Sequence, residues 1–88
     1  MRWTVTLSKE AVRQLSELPR KHQDTVRRDL EEMAVEPFRG LVKALQGKKY
    51  KGLYRQVSGR YRIIFSIRHS AHAVDVLAIL LRNERTYR

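Results

Sequence analysis

The chain has 88 residues, no cysteine and a formal net charge of +10, from 19 Lys and Arg against nine Asp and Glu. That length allows one domain, 1–88, with a modest core, since a domain this small buries only about 60–65% of its unfolded surface. Without cysteine there are no disulfides, no thiolate catalysis and no Cys-based zinc or iron–sulfur site, and no apolar run approaches the roughly 18 residues of a membrane span.

Trp3, Val5 and Leu7 alternate with Arg2, Thr4 and Thr6, the period of a strand with one buried face. Ser8 is placed to cap a helix over residues 9–18, with Ala11, Val12, Leu15 and Leu18 as its apolar stripe. Pro19 ends that helix and opens a second over about residues 20–35, which buries Val26, Leu30, Met33 and Ala34 before Pro37 closes it. The two form an antiparallel helical hairpin. Residues 37–52 (PFRGLVKALQGKKYKG), punctuated by three glycines, read mostly as loop, with room for a short turn or helix around residues 41–45.

Residues 53–67 (LYRQVSGRYRIIFSI) read as a β-hairpin. Tyr61, Ile63, Phe65 and Ile67 lie on one face, apolar enough to cover the helices, so Arg60, Arg62 and Arg68 look away from them. A two-residue turn at Ser58-Gly59 sets Arg55 directly opposite Arg62, a like-charge pairing that is destabilising unless an anion sits between the two. Arginine's planar fork suits phosphate. A four-residue loop over residues 57–60 keeps this pairing, and a three-residue bulged loop breaks it. A turn at residues 69–72 leads to a strand over residues 73–81 (AVDVLAILL), apolar on both faces except at Asp75 and so expected inside the sheet. The expected fold is α+β: β-α-α-β-β-β, a small antiparallel-rich sheet with an N-terminal helical hairpin packed on one face.

Charge is one-sided. Residues 1–44 carry nine Lys and Arg against seven Asp and Glu, residues 45–88 ten against two, and no acidic residue falls between Glu36 and Asp75. Such a field favours a polyanionic partner, nucleic acid or an acidic protein. The start, MRWTVTLSKE, lacks the apolar core of a signal peptide, so a soluble cytoplasmic protein is expected. His22 reads as an exposed helix residue, and His69 and His72 as turn residues too isolated to make a metal site. Tyr54 and Tyr61 read as packing residues of the sheet.

The strings Leu45-Gln46-Gly47, Leu53-Tyr54-Arg55, Ser58-Gly59, Tyr61-Arg62-Ile63-Ile64-Phe65 and Val76-Leu77-Ala78-Ile79, followed by Arg82 and a closing Tyr87-Arg88, carry a resemblance over nearly the whole chain. It is to the RelE/ParE toxin superfamily of bacterial and archaeal toxin–antitoxin systems, nearest its RelE-like members. The resemblance implies an endoribonuclease that cuts messenger RNA in the ribosomal A site without metal or cofactor. ParE-like members, similar in fold, instead poison DNA gyrase, and a basic nucleic-acid-binding module with no toxicity is a third possibility. Carried over by position, the catalytic residues are Arg55, Arg62, Arg82 and Tyr87, with Arg85 competing for the place of Arg82. A family lysine falls on Leu53, a departure for which Lys49 or Lys51 could compensate.

In that reading Arg55 and Arg62 clamp the scissile phosphate, Arg82 protonates or supports the leaving group, and Tyr87 stacks on or orients a base or works with a lysine as general base. Lys48, Lys49, Lys51, Arg60, Arg68 and Arg85 are candidates to bind RNA, Arg60 and Arg68 by steering the phosphate backbone. The hairpin has no Asp or Glu, which argues against a carboxylate acid–base pair or a magnesium cluster there. The implied partners are messenger RNA, the ribosome and an acidic antitoxin that wraps the toxin, which is expected to be a monomer when alone.

Overall fold

A computed structural model describes residues 2–82. The elements run β1 (Thr4–Leu7), α1 (Lys9–Glu17), α2 (Arg20–Val35), β2 (Val42–Ala44), a 3₁₀ turn (Lys48–Tyr50), β3 (Leu53–Ser58), β4 (Tyr61–Arg68) and β5 (Ala73–Leu81). They build one mixed five-stranded sheet in the order β1-β5-β4-β3-β2, with β1 parallel to β5 and the other pairs antiparallel. The expected α+β fold and helical hairpin hold, with one strand more than the sequence pattern indicated.

Both helices pack on one face of the sheet. Ala11, Val26, Leu30 and Met33 meet Tyr61, Ile63, Phe65, Val74, Val76 and Ile79, and Trp3, Val5 and Leu7 close the core from β1. Val12, expected in the apolar stripe of α1, is instead exposed. Helix α1 spans only nine residues, and Ala11, Leu15 and Leu18 already cover its contact with the sheet. The Ser8 cap is formed: its side chain accepts from the Ala11 amide at 3.0 Å and donates to the Leu77 carbonyl at 2.9 Å.

That second bond falls on an irregularity. Ile64 pairs with Ala78 but Phe65 pairs with Val76, so Leu77 is an extra residue in β5. A bulge shifts the alternation of a strand by one residue. Here it explains how β5 is apolar on both faces: Val74 and Val76 face the helices before the bulge and Ile79 after it, while Ala78 and Leu80 turn to the other side.

The hairpin turn corrects the expected register. Ser58 pairs with Tyr61, Val57 with Arg62 and Arg55 with Ile64, so the turn is Gly59-Arg60 and Arg55 does not sit directly opposite Arg62. The reason is local. Gly59 takes φ +57° at the first central position, where a two-residue II′-type turn needs glycine. Ser58 stays in the strand, buried, with its hydroxyl donating to Asp29 on α2. Moving the turn by one residue moves both strands together, so Arg55 and Arg62 keep a common face and become diagonal neighbours.

Residues 37–52 are also more ordered than expected. No helix forms around residues 41–45; β2 pairs there with β3, Val42 opposite Gln56, Lys43 opposite Arg55 and Ala44 opposite Tyr54. Glycines with positive φ at 40 and 47 bracket this stretch and leave too few residues for a helix.

Candidate nucleic-acid interface

The sheet face turned away from the helices has a small apolar floor. Leu45, Ile64 and Ala78 are buried there, with Tyr50, Leu53 and Leu80 packed against them. Leu53, which stands where the resemblance places a lysine, therefore has a packing role. Beside this floor opens a cleft of about 390 Å³ whose lining includes Lys43, Arg55, Arg62 and Arg82, with Leu41 and Val57 supplying apolar wall.

Strand register explains why these four cations converge. Lys43 is directly opposite Arg55 across β2 and β3. Arg62 is diagonal to Arg55 across β3 and β4, and it pairs with Leu80 on β5. Arg82 follows two residues later, its amide donating to the carbonyl of Arg60 at 2.6 Å. The backbone positions of these cations thus step from β2 to the residue just past β5, at the roughly 5–8 Å spacing of direct and diagonal cross-strand neighbours. Among the described residues that line the cleft there is no carboxylate. Cations gathered in a concave site concentrate positive potential and attract polyanions.

The remaining candidates are dispersed. Lys48, Lys49 and Lys51 are exposed on and beside the 3₁₀ turn, outside the cleft lining, and the ammonium of Lys49 lies 5.7 Å from the centre of the Tyr50 ring. Arg60 is exposed in the hairpin turn. Arg68 makes a two-point ion pair with Asp75, at 2.6 and 3.1 Å, which raises its pKa above the ordinary arginine value through the hydrogen bond first and the charge second. Tyr87 and Arg85 lie outside the described residues. No group of three or more His, Cys, Asp or Glu that could hold a metal occurs among the described residues.

Tyr54, Tyr61, His22 and His72 serve packing. Tyr54 stacks on Phe65 and meets Phe38 edge-on, at centroid distances of 5.7 and 5.0 Å. Tyr61 is buried against His22, which is half-buried and not exposed as the helix pattern suggested. His72 stacks on Trp3 at 3.9 Å and takes φ +51° in the β4–β5 turn. Lys43 is the residue that reading the sequence missed. Its signal was the alternation Val42-Lys43-Ala44, three residues long and too short to read as a strand without the partner that pairs with it.

A mixed sheet with a helical hairpin on one face and a cationic cleft on the other defines a class of small toxin folds. Residues 5–86 match the family described as the ParE toxin of the type II toxin–antitoxin system parDE. The chain belongs to this family, within the RelE/ParE superfamily, and is a toxin of type II toxin–antitoxin systems. No curated protein matches it by sequence.

Among solved structures, the RelBE2 toxin–antitoxin complex of Mycobacterium tuberculosis is similar at 25% identity and a TM-score of 0.83, covering 93% of this chain and 100% of the other. The archaeal RelE–RelB complex of Pyrococcus horikoshii follows at 26% identity and 0.79, covering 96% and 99%. The YoeB/ParE toxin of Agrobacterium tumefaciens shares the fold at 12% identity and 0.75, covering 91% and 99%. No helix among the described residues is long and apolar enough to cross a membrane.

Proposed function

We propose that this toxin is an endoribonuclease that cleaves messenger RNA on the ribosome. The observation that carries the reading is the cleft that gathers Lys43, Arg55, Arg62 and Arg82. Cleavage requires the 2′-oxygen to bond to the adjacent phosphorus as the phosphorus–5′-oxygen bond breaks. Tyr87, working with a lysine, takes the proton of the 2′-hydroxyl, Arg82 or water supplies one to the 5′-oxygen, and negative charge gathers on the non-bridging oxygens. Arginines fixed on strands hold that charge without reorganising, and such preorganised donors stabilise a transition state more than a flexible ground state. Arg55 and Arg62 take the non-bridging oxygens, and Arg82, at the end of β5, supports the leaving 5′-oxygen. The described lining residues include no carboxylate or imidazole, so the roles assigned to them are charge and positioning.

Adding the purified chain to a coupled translation reaction, and following message integrity beside a DNA-supercoiling assay with gyrase, tests the reading. Message cut during translation, with supercoiling untouched, is expected. Intact message with stalled supercoiling would replace it with gyrase inhibition, the alternative favoured by the match to the ParE family. Replacing Arg55 and Arg62 together by alanine should lower cleavage at least about 10²-fold; cleavage that survives the double change would move the site elsewhere.

A further inference from the structure

Three arginines account for the phosphate contacts above, and the cleft contains a fourth cation. Lys43 faces Arg55 directly across β2 and β3 and lines the same cleft. Like charges in that relation repel, and among the described lining residues no acidic one offsets them. On β3 itself the neighbouring position on this face is Leu53, committed to packing with Leu45, Ile64 and Ala78. That strand therefore brings one cation to the cleft, and the second comes from the strand beside it. The other lysines nearby, Lys48, Lys49 and Lys51, are outside the lining.

We infer that Lys43 is a catalytic residue of this toxin, its ammonium contacting a non-bridging oxygen of the scissile phosphate beside the Arg55 guanidinium. The inference rests on the ribonuclease reading. Directly opposed Cβ atoms are about 4.5–5.5 Å apart, so the two long side chains can converge on one phosphate. The ammonium acts as a charge and hydrogen-bond donor as the 2′-oxygen–phosphorus bond forms, and it transfers no proton. Its place on the short edge strand leaves its head exposed and able to follow the substrate. Edge lysines also guard sheets against pairing with other chains. That role alone predicts self-association of a neutral variant with its chemistry intact.

The test compares wild type, Lys43→Gln, Lys43→Arg and Lys9→Gln, the last an exposed change on α1. One readout is single-turnover message cleavage in the coupled translation reaction. The other is the salt dependence of binding to a fluorescent 2′-O-methyl RNA 12-mer, which has no free 2′-hydroxyl to attack. Lys43→Gln should lower the cleavage rate about 10²-fold and flatten the slope of log K against log salt by about 0.7, one phosphate contact to a single strand. Lys43→Arg should keep most of the rate, and Lys9→Gln should change neither readout. An active wild type beside an equally active Lys43→Gln would overturn this role and leave the ribonuclease reading standing, as would equal losses in Lys43→Gln and Lys9→Gln. A wild type that leaves the message intact would overturn the ribonuclease reading and this role with it.

Discussion

The hydroxyl of Ser58, the last residue of β3, donates to the carboxylate of Asp29 on α2. This bond pins the end of β3 to the helical layer and keeps Ser58 on the inner face of the sheet. Val57 and Arg55 consequently point the other way, into the cleft. Ser58→Ala removes the donor and leaves a part-buried carboxylate short of a partner, at a cost of about 1–3 kcal/mol. A urea melt of the variant should shift its midpoint down without changing the slope. A midpoint equal to the wild type's would mean that the contact contributes nothing to stability.

Ser8 caps α1 and also ties it to the β5 bulge. Ser8→Ala loses both bonds and should cost about 1–2 kcal/mol. Ser8→Asp restores the acceptor for the Ala11 amide but cannot donate to the Leu77 carbonyl, so it should recover only part of the loss. Thermal unfolding of the three proteins checks this order, and full recovery with aspartate would show that the bond to the bulge is dispensable.

Arg68 and Arg62 lie on the same strand and should behave differently toward RNA. Arg68 is paired with Asp75 and lies outside the cleft, whereas Arg62 is among the residues that line it. Arg62→Ala should flatten the salt dependence of RNA binding by about one contact, while Arg68→Ala should leave it nearly unchanged. The pair with Asp75 raises the Arg68 pKa, so its contribution is present throughout the working pH range and fades only when pH rises beyond that of an ordinary arginine. Binding by Arg68→Ala relative to wild type should therefore be flat from mildly acidic to mildly alkaline pH.

An antitoxin for this chain should be acidic. The cations of the cleft face and the net charge of +10 call for a neutralising segment, bound as a helix or an added strand. Titration calorimetry of the toxin with the product of the adjoining reading frame should give a Kd that weakens steeply with NaCl. Binding indifferent to salt would place the affinity in apolar contacts instead.

Much of this molecule was legible in its residues. The alternation at Trp3, Val5 and Leu7, the Ser8 cap, the two helices divided by Pro19, and the long apolar run of β5 each carry a local signal strong enough to stand alone. The cleft was legible in part. Arg55 and Arg62 could be assigned a shared face because any two-residue turn near Gly59 preserves the parity of the strands. Their exact pairing could not, because it depends on which side of Gly59 the turn forms, and Asp29, far away in sequence, bears on that choice.

Local pattern and charge therefore determined the element types, the helical hairpin and a basic sheet face suited to an anion. Tertiary structure decided which cations meet there. Strand β2 has only three residues and acquires its identity from pairing with β3, so the position of Lys43 against Arg55 is a property of the assembled sheet. The bulge at Leu77 works in the same way: one extra residue in β5 is invisible as a pattern, yet it turns Ala78 and Leu80 into the apolar floor beside the cleft and brings Arg82 to the cleft lining. Long-range pairing fixes such positions, because a strand's faces are defined only once its neighbour's register is set.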